Sequence, residues 1–373
     1  MKIIIASDSF KGSLSSAEVN AAIASGVRDV IHGAEIVRIP VGDGGEGTCK
    51  SLVEALRGEL YSCLVEGPMG APVEAYYGIV GGDTAIIEMS EASGLTLVDE
   101  ASRDAMLAST FGTGQMIKDA IGKGCRTVIV GIGGSATTDG GTGMLAALGV
   151  RFYDAGGSIL KPCGASLQKI ASIDASALSD YSGVRFTVAA DVDNPLFGPR
   201  GSACVFAPQK GATPEQVEFL DEGLRNYALV AEKTLGKDCS QMPGAGAAGG
   251  LGFAFAAFLG GKLCKGADMV LDAWNFDEQL RDADMVITGE GRLDRQTLMG
   301  KTPYGILERS RKMNVPVIAV GGSVVDREEL EQCGFAAIVQ VDAGKVSLEE
   351  AMRPETAKAN IRKTVADYFS TIF

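Results

Sequence analysis

Short β-branched runs alternate with helical periodicity at both ends of this chain, predicting an α/β fold. The expected architecture is a Rossmann-like, mostly parallel sheet domain with an inserted mixed α/β domain. Three observations carry this reading. The apolar opening Ile3-Ile4-Ile5-Ala6 runs straight into Ser7-Asp8-Ser9, as a strand entering a loop does. Similar runs recur near the carboxyl terminus, each followed by a helical pattern. The middle section instead shows consecutive strands separated by glycine turns, which suits antiparallel pairing.

In chain order, Lys2–Ala6 is the first strand. The helix Ser16–Val30 follows Ser13 and Ser15, good amino-terminal caps, and stops at Gly33. Glu35–Ile39 is the second strand. Leu60–Val65, Val73–Val80 and Thr84–Met89 form the meander, with turns at Gly67-Pro68-Met69-Gly70 and Gly81-Gly82-Asp83. A helix over Ala105–Ile121 ends at Gly122 and leads into the strand Thr127–Ile132. The region from 150 to 275 adds the strand Arg185–Ala189 and the long helix Pro214–Leu235. Strands at Met285–Thr288, Pro316–Val320 and Ala337–Val341 follow, and the charged stretch Ser347–Tyr368 closes the chain. The expected partition gives residues 1–58, 104–132 and 283–373 to the Rossmann-like domain, and 59–103 and 133–282 to the insertion. A small-molecule cleft is expected between them.

With 373 residues, the chain exceeds one ordinary core. Its charge is 34 − 47 = −13, and His32 is its only histidine. Histidine triads, two-histidine metal sites and zinc fingers are therefore excluded unless His32 is the one member, and its place at a helix end suits a surface residue. An acidic chain without basic clusters argues against a nucleic-acid partner. The 8 cysteines contain no CxxC, the nearest pair being Cys49 and Cys63, and they read as scattered thiols in a reduced compartment. The apolar stretch Leu251–Leu259 is too short to cross a bilayer, and the amino terminus lacks a signal-peptide core. A soluble, cytoplasmic protein is expected.

Glycine, at 50 residues, is roughly twice its usual share of ~7% and clusters in loops. Two G-x-G-x-x-G matches fail as dinucleotide fingerprints. Gly42–Gly47 follows the second strand and carries Asp43 and Glu46 where a pyrophosphate would sit; Gly244–Gly249 follows no strand. Gly300-Lys301-Thr302 imitates the end of a P-loop but has Arg295 where its first glycine belongs. The remaining loops share one grammar: strand, then glycine with Ser, Thr, Asp or Glu, then helix. They are Asp8–Ser13, Gly131–Gly141 and Thr288–Asp294. Such loops gather at one sheet edge, where backbone N–H groups and helix amino termini favour anions. Asp8, Asp43, Glu88, Glu91, Asp139, Asp191, Asp193, Glu290 and Asp294 lie in them or at strand ends. Hard divalent cations take such oxygens, and a general base must here be Asp, Glu or Lys. Lys11 and Arg292 are the cations best placed for phosphate; Lys161, Lys210 and Lys301 rank behind them.

Several runs, in order, resemble the bacterial glycerate kinases of the first type: Ile4–Ser15, Asp43–Thr48, Gly133–Thr137, Asp191–Leu196, Pro208–Ala212, and Thr288–Asp294 continuing to Pro303. The chain departs from that family at Ser7, Gly42 and Thr138, where proline, alanine and asparagine are usual; none of these removes a charged candidate. The resemblance implies Mg²⁺-assisted transfer of the γ-phosphoryl of ATP to glycerate, favouring the 2-hydroxyl, in a cleft between two α/β domains. On that reading Asp191 or Asp193 is the base that orients the hydroxyl, with Lys11 and Arg292 as catalytic cations. Gly133, Gly134, Ser135, Thr137, Gly289 and Gly291 bind phosphate, and Asp8, Glu290 and Asp294 take metal or base roles. The expected partners are glycerate and ATP, without nucleic acid or membrane; a homo-oligomer is left open. The alternatives are a kinase for another small hydroxy acid and a non-catalytic two-domain anion sensor.

Overall fold

The computed structural model describes residues 1–41, 49, 52–53, 56–299, 301–341, 344 and 346–373. The chain opens with β1 (Lys2–Ser7), α1 (Ser16–Val30) and β2 (Glu35–Arg38). It continues through β3 (Glu59–Glu66), β4 (Pro72–Val80), β5 (Thr84–Glu88), α2 (Phe111–Gly122), β6 (Thr127–Gly131) and α3 (Thr142–Ala147). Next come β7 (Arg151–Tyr153), β8 (Ser172–Asp174), β9 (Arg185–Ala189), α4 (Pro214–Leu235), α5 (Ala247–Phe258) and β10 (Lys262–Cys264). The last elements are β11 (Met285–Leu293), α6 (Thr302–Lys312), β12 (Val317–Val324), β13 (Ala337–Gln340) and α7 (Pro354–Ser370).

Two compact units result: Met1–Asp43 with Val270–Phe373, and Gly44–Met269. The terminal unit is a parallel sheet in the order β13-β12-β11-β1-β2. Ile3, Ile4, Ile5 and Ala6 of β1 are fully buried between its neighbours, which explains their uninterrupted apolar run. Helix α1 starts at a capping box, Ser15 accepting from the Glu18 N–H while the Glu18 carboxylate accepts from the Ser15 N–H.

The internal unit is a mixed sheet in the order β10-β9-β6-β5-β4-β3. Its β3, β4 and β5 form the expected antiparallel meander, and β5, β6, β9 and β10 run parallel. Helix α4 packs Tyr227 against Phe152, Phe253 and Phe258. No helix among the described residues is long and apolar enough to cross a membrane.

Three expectations need correction. Segment 104–132, assigned by its pattern to the terminal unit, belongs to the internal one, and the unit boundaries fall at 43 and 269 instead of 58 and 282. The cause is hydrogen bonding: β6 is claimed by β5 on one side and β9 on the other. The helix expected from Ala105 starts at Phe111, because its N-cap Thr110 is held by the buried Asp139 carboxylate through both its N–H and its hydroxyl. Strand β11 runs to Leu293, so the expected loop after Thr288 is mostly strand. Its Glu290, Arg292 and Leu293 remain paired with Gly321, Ser323 and Val324 of β12. Gly289 permits that approach, since a Cβ there would lie 2.4 Å from the Val320 carbonyl oxygen.

Helices α1 and α7 touch at Gly26, where a Cβ would stand 2.4 Å from the Arg362 carbonyl oxygen and 2.9 Å from the Val365 Cβ. Overpacking typically costs about 1–3 kcal/mol. Gly26→Ala should therefore lower the urea midpoint of unfolding. Gly122→Ala, with nothing within 4 Å of its new methyl group, should leave the midpoint unchanged or raise it.

Candidate active site

Parallel pairing aligns the carboxyl ends of four strands in the internal unit: Glu88 opposes Gly131, Gly131 opposes Ala189, and Ala189 opposes Cys264. The segments that follow leave from one edge, where parallel sheets bind ligands. In the central segment Gly133 and Gly134 are exposed while Ser135 through Asp139 are buried. The Gly134 carbonyl accepts from the Leu95 N–H (2.8 Å), and the Ala136 N–H donates to the Ser93 carbonyl (2.9 Å). The N–H groups of Gly133, Gly134 and Ser135 have no acceptor among the described residues.

Two buried charges hold this loop. Lys210, 2% exposed, donates from Nζ to Ser135 Oγ (2.8 Å) and to the Thr137 carbonyl (2.6 Å). Burial pushes its ammonium down to about 7, opposed by the Asp139 charge. Asp139 is fully buried and accepts from the Thr110 N–H and Oγ1 (2.8 Å each), the Gly141 N–H (3.0 Å) and the Gly143 N–H (3.1 Å). Burial raises its carboxyl above the usual range, with those four donors pulling the other way. Asp139 thus joins the start of α3 to the start of α2 and is a structural anchor.

The other internal carboxylates divide similarly. Glu88 accepts from the Cys49 N–H (3.1 Å) and Glu91 from the Tyr76 N–H (3.3 Å). Asp191 Oδ1 accepts from the Gly266 N–H (2.8 Å), at the start of the helical segment Gly266–Ala273. Asp193, two residues on, is exposed.

In the terminal unit Ser7 opposes Gly289, and Gly289 opposes Val320. Asp8, 7% exposed, donates its N–H to the Gly289 carbonyl (2.8 Å); its carboxylate accepts from the Ser9 N–H (2.6 Å) and Thr302 Oγ1 (3.3 Å). Glu290, equally buried, accepts from the Thr297 hydroxyl and from Lys301 Nζ (3.3 Å). Burial raises the Glu290 carboxyl above its ordinary range; Thr297 and Lys301 oppose this, and the Asp8 charge reinforces it. Asp294 pairs with Arg292 Nε (3.0 Å) and lies 4.0 Å from Lys301 Nζ. Arg292 and Lys11 are exposed. Ser7 Oγ and Thr288 Oγ1 are buried without a hydrogen-bond partner among the described residues.

Asp8, Glu290, Lys301, Thr297 and Thr302 therefore belong to one connected cluster, with Asp294 joined through Lys301. No group of three or more His, Cys, Asp and Glu side chains among the described residues could enclose a metal ion. The expected trio Asp8, Glu290 and Asp294 is accordingly not a closed cage. The buried oxygens of Asp8 and Glu290 suit a cation such as Mg²⁺, which takes one or two carboxylates and completes its shell with water and phosphate. Gly289, expected to bind phosphate, is buried inside β11, where it permits close strand approach; Gly291 is half-buried in the same strand. Asp43, the run Gly42–Thr48 and Gly300 lie outside the described residues. Lys210 and Lys301, ranked behind Lys11 and Arg292 on sequence, make the inner contacts. The signals available for them were their places in the Pro208–Ala212 run and beside Thr302.

A family model described as the glycerate kinase family matches residues 3–372. The chain is 47% identical to a glycerate kinase of Bacillus subtilis (strain 168), covering 100% of this chain and 98% of that one. It is 43% identical to a glycerate 2-kinase of Escherichia coli (strain K12), covering 98% of each. A crystal structure assigned as glycerate kinase 2, from Salmonella typhimurium LT2, matches with a TM-score of 0.86 at 44% identity, over 100% of this chain and 98% of that chain.

The raised carboxyl of Glu290 gives a signed expectation. Above the usual carboxylate range the buried charge opposes folding, because the unfolded state ionises more readily. Glu290→Gln should therefore raise the thermal midpoint at pH 7. That gain should shrink as pH falls through the carboxylate range and the wild-type group becomes protonated. A pH series of calorimetric melts checks this; a gain that grows on acidification contradicts it.

Proposed function

The chain belongs to the glycerate kinase family and is a phosphotransferase, and from that premise we propose that it transfers the γ-phosphoryl of ATP to the 2-hydroxyl of D-glycerate with Mg²⁺. The loop with unclaimed N–H groups at Gly133, Gly134 and Ser135, backed by a buried ammonium, supports this reading most directly. In a protein of charge −13, such donors are what allow a polyphosphate to bind.

In the proposed reaction the glycerate oxygen forms a bond to the γ-phosphorus, the bond from that phosphorus to the β,γ-bridging oxygen breaks, and ADP leaves. Such transfers depend mainly on positioning and charge neutralisation. Gly133, Gly134, Ser135 and Thr137 take the phosphates. Exposed Lys11 and Arg292 neutralise phosphate and the glycerate carboxylate. Asp8 and Glu290 would hold Mg²⁺, which would supply Lewis-acid neutralisation of phosphate charge. Asp193 accepts the hydroxyl proton, and Asp191, occupied by the Gly266 N–H, steadies the loop that carries it. The eight free cysteines suit a reducing cytoplasm.

ADP release with ATP, Mg²⁺ and a panel of hydroxy acids tests the substrate, and phosphorus NMR of the product tests the position. Turnover with D-glycerate yielding 2-phosphoglycerate is expected. Turnover only with another acid replaces the substrate, and binding without ADP release leaves an anion sensor. Removing a general base typically costs ~10²–10⁴-fold in rate. Asp193→Asn should lower kcat on that scale with little change in KM, while Asp191→Asn should lower it less. The reverse order would exchange the two roles.

A further inference from the structure

Resting on the kinase reading above, we propose that Lys210 is the positioning residue of the phosphate loop: its buried ammonium holds Gly133–Thr137 in the form that presents its N–H groups to an anion. Lys210 ends the 3-10 turn Pro208–Lys210 and is followed by Gly211, where a Cβ would lie 2.5 Å from the Arg103 carbonyl oxygen. The turn is thus seated against the Arg103 backbone, and the side chain approaches the loop from inside the unit. Nζ grips two points either side of Ala136, Ser135 Oγ at 2.8 Å and the Thr137 carbonyl at 2.6 Å.

The opposite flank of the loop is tied to the segment Ser93–Leu95 through the Gly134 carbonyl and the Ala136 N–H. These bonds occupy the carbonyl groups of Gly134 and Thr137 and leave the N–H groups of Gly133, Gly134 and Ser135 available. Among the described residues both hydrogen-bond partners of Lys210 are neutral, and the Asp139 carboxylate acts on it through space. A buried cation without a hydrogen-bonded carboxylate is costly, and an anion on the loop would offset that cost. Lys210 touches loop atoms and not substrate, so it acts through the loop.

The test uses the full chain with Lys210→Met, which removes the charge and retains most of the length, and Ser135→Ala, which removes one partner only. Calorimetric titration with ATP, and separately with tripolyphosphate, reads the loop without requiring turnover; melts report folding, and KM for glycerate reports the rest of the site. Lys210→Met should weaken both polyphosphates about tenfold or more, the scale of a lost charge-assisted hydrogen bond, with glycerate KM changed less than about twofold. Ser135→Ala should weaken them less, and the double variant no more than Lys210→Met alone, because the two residues share one interaction.

Polyphosphate affinity within about twofold of wild type in a folded Lys210→Met protein overturns the proposal. So does an equal loss of glycerate affinity, which would mark a general structural role. If Lys210→Met does not fold, unchanged binding by Ser135→Ala overturns it instead. A wild type that binds ATP but never phosphorylates glycerate removes the kinase reading, while weakened binding in Lys210→Met still supports the loop role. A wild type that binds neither polyphosphate removes both.

Discussion

The parallel pairing of β1 with β11, from Ile3 against Met285 to Ser7 against Gly289, joins stretches of chain 282 residues apart. Every other strand of the terminal sheet is added outward from that pair. The cost of closing so long a loop grows only slowly with length, and the fully buried Ile3, Ile4 and Ile5 lie at the junction. The same register brings the Asp8 N–H onto the Gly289 carbonyl and sets Glu290, still within β11, just past the end of β1. The acidic cluster is thus a direct product of strand pairing.

The internal unit repeats this logic with a different chemical result. Its aligned strand ends deliver a loop with N–H donors that no described residue claims, whereas the terminal unit gathers carboxylates. Charge burial separates the roles further. Asp139 has four donors and anchors helix starts; Lys210 has two neutral acceptors and braces a loop. Glu290 keeps one cation and one hydroxyl and stays raised, leaving oxygens suited to a hard cation. Polar satisfaction distinguishes scaffold from site more sharply here than burial does, since all three residues are buried.

Much of this was legible in the residues. Helix α1 and helix α4 have the bounds that capping and periodicity imply, because a serine or threonine cap and a glycine stop act over one turn. The meander was equally plain from its turns. The unit that takes strand β6 is not legible in its residues, because a parallel strand followed by a helix looks alike whichever sheet takes it. The true extent of β11 was hidden because Gly289 and Gly291 read as loop residues, while a close neighbour makes glycine acceptable in a strand.

For the site, the residues in order carry an inventory: glycine loops at strand ends, carboxylates in place of histidines, and an acidic balance that requires backbone donors or a cation for phosphate. Those are properties of composition and local order. Tertiary structure alone decided which members of that inventory meet. It withdrew Asp139 into a helix junction, occupied Asp191 with the Gly266 N–H, and moved Lys210 and Lys301 ahead of the exposed Lys11 and Arg292. A lysine's reach, its burial and the acceptors it finds are set by elements distant in the chain. Lys210 and Ser135 are 75 residues apart in sequence, and only folding could bring them within 2.8 Å.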